Sequence, residues 1–116
     1  MKTLETTIRI DLFKYTDLTL TEKTLLKRAC QVRLKAQAYY SNYLVGCSLI
    51  SDNGLFFDGC NVERVSWTQT DHAEQNAICQ AAKRGVSLDG STCYVNMTPC
   101  RTCAMLLINC GVKRVY

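Results

Sequence analysis

Two short stretches constrain this chain more than anything else in it: Asp71-His72-Ala73-Glu74 and Pro99-Cys100-Arg101-Thr102-Cys103. Between them they hold the only histidine and the only proline of the chain. Each opens a segment with helical character, so a fold that uses both must bring two helix starts together. His72, Cys100 and Cys103 make a three-ligand set suited to zinc. Three protein ligands leave the fourth tetrahedral position open, as in a catalytic site, whereas a structural site is closed. Glu74, two residues past the histidine, is placed to reach that open position without ligating.

The spacing has a physical logic. Cys100 and Cys103 are three apart and share one face of a first helical turn. Pro99 suits a helix start, where its fixed φ fits and its missing N–H would have no partner. Unpaired amides and the positive end of the helix dipole lower thiol pKa values there, which favours the thiolates zinc requires. Two thiolates and one imidazole leave the metal without net charge. Glu74 fits a proton carrier, able to take a proton from an attacking water beside the metal and deliver it to a reacting group. Each piece also has a plainer account. Glu74 lies three residues after Asp71 and could complete a capping box. A lone C-x-x-C is commonly structural or redox, and His72 could be a core histidine. A structural zinc site would take a fourth ligand from Cys79 or Cys110 and leave Glu74 without a role. The coincidence of ligand types, adjacent Glu and two helix starts favours the catalytic account.

With 116 residues, 47% of them hydrophobic, the chain supports one small domain with limited core margin. No apolar run approaches the roughly 20 residues that span a bilayer, so no membrane role is expected. Residues 1–7 lack the continuous apolar core of a signal peptide. Of the eight cysteines, Cys30, Cys47, Cys79, Cys93 and Cys110 sit singly inside apolar segments. They read as buried free thiols rather than bridges, which points to a reducing cytoplasm. The net charge of +4 is modest. Lys27, Arg28, Arg33 and Lys35 share one predicted helix, and Lys113 and Arg114 lie near the end of the chain. A solvated helix face accounts for them better than a nucleic-acid interface.

Residues 1–18, with a weak strand-like alternation over 7–12, form an N-terminal extension of unassigned role, and residues 19–116 form the domain. Thr19 and Glu22 make a capping box that opens a first helix running to about residue 38. Residues 44–50 read as a strand, Asn53-Gly54 as a tight hairpin turn, and residues 55–57 as the returning strand. Residues 62–70 read as a loop. A second helix begins at Asp71 and stops at Gly85, and residues 92–97 form a third strand. The third helix, from Cys100 to Cys110, is apolar nearly all round, which predicts burial against the sheet and against another subunit. Gly111 closes it, and residues 112–116 begin a fourth strand.

Residues 39–79 and 93–116 resemble the cytidine deaminase superfamily. The pattern H-x-E…P-C-x-x-C belongs to zinc deaminases that act on cytosine and adenine. Tyr40-Ser41-Asn42-Tyr43, Val45-Gly46 and Gly59-Cys60-Asn61-Val62-Glu63 are similar to the nucleoside-acting cytidine deaminases, without a gap from Tyr43 through Asn61 to His72. The back half, His72-Ala73-Glu74-Gln75-Asn76 and Pro99-Cys100-x-x-Cys103, looks more like deoxycytidylate deaminases, because nucleoside enzymes usually carry Cys-Ala-Glu there. The resemblance implies an α/β fold with a mixed β-sheet sandwiched by helices in three α/β/α layers. It implies that Tyr43 packs against a pyrimidine ring, where the family has a Phe, and that Asn61 and Glu63 hydrogen-bond the sugar hydroxyls. An acceptor-rich pair suits a diol. A turn residue and a solvated loop charge are the plainer accounts of Asn61 and Glu63. Trp67 falls at an aromatic position of the same loop, and Arg64 stands where an Asn is common. Family members generally continue through a fifth strand beyond the point where this chain stops, and they are usually dimers or tetramers.

The expectation is a cytoplasmic homo-oligomer that deaminates cytidine or deoxycytidine hydrolytically. Zn2+ is held by His72, Cys100 and Cys103, Glu74 is catalytic, and Tyr43, Asn61 and Glu63 bind substrate. Rival expectations are deoxycytidylate or a base-modified nucleoside as substrate, an RNA adenosine as substrate, or a non-catalytic zinc-stabilised module.

Overall fold

The computed structural model describes residues 14–38, 41–63 and 71–116. Residues 7–12, Arg64 and Trp67 lie outside these residues. A 3-10 turn, Tyr15–Asp17, leads to helix α1, Leu20–Val32. The capping box predicted from Thr19 and Glu22 opens it: Glu22 N donates to Thr19 Oγ1 at 3.1 Å, and Thr19 N donates to Glu22 Oε1 at 2.9 Å. The helix tightens into a second 3-10 turn, Arg33–Lys35, and ends short of the predicted residue 38. Strands β1, Gly46–Ile50, and β2, Phe56–Cys60, pair as the hairpin that Asn53-Gly54 signals. Helix α2, Ala73–Lys83, strand β3, Thr92–Val95, helix α3, Arg101–Asn109, and strand β4, Arg114–Val115, complete the order.

The sheet has strand order β2-β1-β3-β4. β1 is antiparallel to both its neighbours, and β3 and β4 are parallel, joined by α3. Side chains alternate between the faces of a sheet. Ser48 and the open face of Gly46 look toward α1, while Cys47, Leu49, Phe57 and Gly59 look toward α2. The core on the α2 side joins Cys47, Leu49, Phe57, Cys93 and Val95 of the sheet to Ala73, Ala77 and Ala81 of α2 and Leu107 of α3. Full burial of side chains such as Phe57, Leu49 and Leu107 stabilises by about 1.5–3 kcal/mol each. The result is the expected mixed sheet between one helix on one face and two on the other.

On the opposite face, Arg28 of α1 reaches β2. Its Nε and Nη2 donate to the two carboxylate oxygens of Asp58 at 3.1 and 2.8 Å, and its guanidinium lies 4.5 Å from the centre of the Phe56 ring. Ser48 Oγ donates to the same carboxylate at 2.7 Å. Arg28, one of the four cations expected on a solvated helix face, is therefore paired and stacked.

All eight cysteines are free thiols. Cys47 and Cys93 are fully buried, with sulfurs 3.5 Å apart across β1 and β3. Cys30 and Cys79 are exposed and Cys110 is half-buried, contrary to the expectation of buried thiols at all five positions. An apolar neighbourhood in sequence does not settle which side of a helix a residue occupies. In α3, Leu107 and Cys103 point inward while Met105 and Ile108 are exposed beside Arg101, Thr102 and Asn109, so its outer face is mixed rather than apolar all round. Among the described residues, no helix is long and apolar enough to cross a membrane.

Candidate metal centre and the adjoining cavity

Local pairing decides where α2 starts. Val62 and Asp71 exchange two backbone hydrogen bonds, Val62 N to Asp71 O at 2.9 Å and Asp71 N to Val62 O at 3.0 Å. Asp71 is thereby held extended, and the helix begins two residues later than predicted. His72 becomes its N-cap, at φ −85° and ψ 155°. The His72 amide donates to Gln75 Oε1 at 3.0 Å. Gln75 therefore supplies the reciprocal cap, and the account of Glu74 as capping partner of Asp71 is overturned. Glu74 instead occupies the buried side of the first turn, 4% exposed.

Cys100 is the N-cap of α3, at φ −68° and ψ 168°, and its sulfur accepts from Cys103 N at 3.5 Å. Pro99 thus directly precedes the cap, and the helix proper begins at Arg101, one residue after the expected start at Cys100. The two helix starts meet. His72 Nδ1 lies 3.2 Å from Cys103 Sγ and 3.5 Å from Cys100 Sγ. All three ligand atoms fall within 4.8 Å of one another. Tetrahedral zinc at about 2.0 Å from nitrogen and about 2.3 Å from sulfur sets its ligand atoms roughly 3.5–3.8 Å apart. The donor set and its spacing fit Zn2+. Among the described residues this is the only His, Cys, Asp and Glu group able to hold a metal ion, so neither Cys79 nor Cys110 joins as a fourth ligand.

The thiol expectation needs correction. Burial pushes the Cys103 thiol well above its ordinary range, and the neighbouring Glu74 and Cys100 push it further. The helix start would lower it, yet a fully buried sulfur beside a carboxylate resists a second negative charge.

A cavity of about 210 Å³ adjoins the ligands. Its wall is made by Val45, Asn61, Glu63, His72, Ala73, Glu74, Met97, Thr98 and Cys100. Six of the seven sequence-predicted residues thus gather at one place, with Cys103 buried behind the wall. Asn61 is buried: its Oδ1 accepts from Val45 N at 2.9 Å and its Nδ2 donates to Tyr43 O at 2.8 Å. Glu63 accepts from Ser41 N at 3.0 Å and from the Ser41 hydroxyl. Tyr43 is not part of the cavity wall and is 65% exposed. Met97 and Thr98 were not singled out in the sequence. They enter because they sit between β3 and the cysteine-bearing helix, and no motif marks them.

A family model described as the cytidine and deoxycytidylate deaminase zinc-binding region matches residues 20–116. The deoxycytidylate deaminase of Enterobacteria phage T2 is 46% identical over 44 residues, 38% of this chain and 23% of the phage protein. The cytidine deaminase of Sporosarcina psychrophila is 28% identical over 88 residues, 72% of this chain and 65% of that protein. The chain therefore spans less than two thirds of either relative. The crystal structure of the cytidine deaminase from Burkholderia pseudomallei matches with a TM-score of 0.70 at 32% identity, covering 81% of this chain and 78% of that one.

Proposed function

This chain belongs to the cytidine and deoxycytidylate deaminase family, and we propose that it hydrolyses cytidine or deoxycytidine to the uracil nucleoside and ammonia. The observation that carries this reading is the buried Glu74 carboxylate in the wall of one small cavity with His72, Cys100, Asn61 and Glu63. Zinc, when bound by His72, Cys100 and Cys103, supplies a Lewis acid and a water acidified to near neutral pH. Glu74 takes a proton from the attacking water and passes it to the ring nitrogen next to the reacting carbon, then takes the second proton of the same oxygen and passes it to the departing amine, leaving that oxygen as the carbonyl. Its burial excludes bulk water that would otherwise compete for those protons. Asn61 keeps one amide hydrogen and one oxygen lone pair beyond its two backbone bonds, and Glu63 is acceptor-only, so both can meet a sugar diol. Tyr43 stands on the segment next to Val45, and in this reading it closes over the pyrimidine from the mouth of the cavity.

A nucleotide is the second reading. His72 in place of the nucleoside branch's cysteine, together with the 46% identity to a phage deoxycytidylate deaminase, favours it. The exposed Met105 and Ile108 of α3 fit a contact with a second copy of the chain, and eight free thiols fit a reducing cytoplasm.

The test is ammonia release by the zinc-loaded protein from cytidine, deoxycytidine, deoxycytidylate, cytosine and adenosine. The expected result is turnover of a cytosine nucleoside, lost in Glu74→Gln at unchanged zinc content. Turnover of deoxycytidylate alone hands the site to the second reading. A Glu74→Gln variant that keeps most activity overturns the mechanism, and silence across the panel overturns the substrate class.

A further inference from the structure

Two asparagine side chains grip one stretch of backbone from its two edges. Asn61 takes the amide of Val45 and the carbonyl of Tyr43. Asn96 takes the alternate pair: its Oδ1 accepts from Gly46 N at 2.7 Å, and its Nδ2 donates to Leu44 O at 3.0 Å. Along an extended chain, successive residues turn their amides and carbonyls to opposite edges, so each carboxamide stands in for a neighbouring strand. The Asn96 backbone adds a third bond, from its N to Gly46 O at 3.3 Å.

The position of Asn96 gives these bonds a consequence. Met97 and Thr98, which follow it directly, line the cavity, and Cys100 comes two residues later. On the other side of the tie, residues 43–46 carry Val45 into the cavity wall and hold the amide of Asn61 in its orientation. We infer that Asn96 is a positioning residue, whose side-chain amide fixes the substrate wall at residues 43–46 against the wall that carries the metal ligand Cys100.

Only a carboxamide meets both demands, since it offers a donor and an acceptor from one planar group. An aspartate keeps the acceptor for Gly46 N but turns a second oxygen toward Leu44 O. An alanine meets neither backbone group. The kinetic consequence rests on the deaminase reading, whereas the tie itself does not.

The experiment compares zinc-loaded wild type, Asn96→Ala and Asn96→Asp. Zinc content and melting temperature are measured first, then kcat and KM per bound zinc on cytidine. Amide hydrogen exchange at Gly46 is followed by NMR in parallel. In Asn96→Ala, Gly46 exchange should accelerate by roughly tenfold, and KM should rise roughly tenfold with kcat per zinc within about twofold. In Asn96→Asp, Gly46 should stay protected while KM still rises. A purely structural role would lower melting temperature and zinc content and leave the KM of the zinc-loaded fraction unmoved, which overturns the inference. Unchanged Gly46 exchange in Asn96→Ala overturns it as well. If that variant does not fold, the KM of Asn96→Asp decides. If wild type turns over no substrate, the deaminase reading falls, and Gly46 exchange alone decides the tie.

Discussion

Gly46 and Gly59 sit diagonally on adjacent strands and open toward opposite faces of the sheet, each against the backbone of a helix. The register pairs Gly46 with Cys60 and Cys47 with Gly59. A Cβ at Gly46 would fall 2.1 Å from Ala29 O of α1, and one at Gly59 would fall 2.3 Å from Ala73 O of α2. Both helices thus press onto the sheet at the same place. The contact at Gly59 seats the very turn that presents His72 and Glu74.

Alanine at either glycine meets backbone that has no rotamer in which to retreat. Gly59→Ala should destabilise by about 3 kcal/mol, the upper end for overpacking, and should also reduce zinc retention. Gly46→Ala should show a similar loss of stability with a smaller effect on zinc. Urea unfolding and metal analysis of the two variants check both statements.

Glu74 and its neighbour Gln75 divide two duties that sequence spacing assigns to one residue. Gln75→Ala removes the acceptor for the His72 amide and should lower stability by about 1 kcal/mol, with turnover per bound zinc unchanged. Glu74→Gln should do the reverse. Paired melts and rates separate them.

Metal uptake should depend steeply on pH. Burial first, and Glu74 next, hold the Cys103 thiol protonated through the neutral range without metal. Binding must expel that proton, so zinc affinity rises with pH by about tenfold per unit for each proton released. Chelator competition between pH 6 and 8 reads the slope. A flat profile would show that the thiol is already ionised.

Much of this was legible in the chain. Thr19 with Glu22, and Asn53 with Gly54, act through neighbours a few residues away, so helix start and hairpin follow from local spacing. The metal ligands were legible because their chemistry is rare and their spacing strict. The later start of α2 was not, because Asp71 is held by Val62 across a segment that local spacing cannot see. Asn96 was invisible for the same reason: its partners, Leu44 and Gly46, lie about 50 positions away and offer only backbone atoms. Cys30 and Cys79 misled because free cysteine is common in cores, whereas these two occupy outward helix positions.

Glu22 at the start of α1 is coupled electrostatically to Tyr116. The nearby Tyr116 hydroxyl, more than the Thr19 amide, holds the Glu22 carboxyl below its ordinary 4.5, and the carboxylate in turn raises Tyr116 above its ordinary 10. A lowered carboxyl pKa stabilises above 4.5 and loses that stabilisation as pH falls through the folded-state value. A raised phenol pKa stabilises below 10 and loses it as pH climbs through the folded-state value. Tyr116→Phe should flatten both flanks of the melting-temperature profile between pH 3 and 11 while keeping the ring stacked on Tyr94, 5.0 Å away.

Among the described residues β2 ends the sheet on one side, and a strand in that place offers unpaired amides and carbonyls to any passing chain. Arg28 and Asp58 set both signs of charge there, with the guanidinium laid over the Phe56 ring. The pair is half-exposed, so its contribution to the folding equilibrium is small. Its larger consequence is colloidal. Arg28→Ala would uncover the ring beside an open edge and let copies of the chain stack edge to edge. Turbidity should then grow with protein concentration while the dilute protein still melts normally.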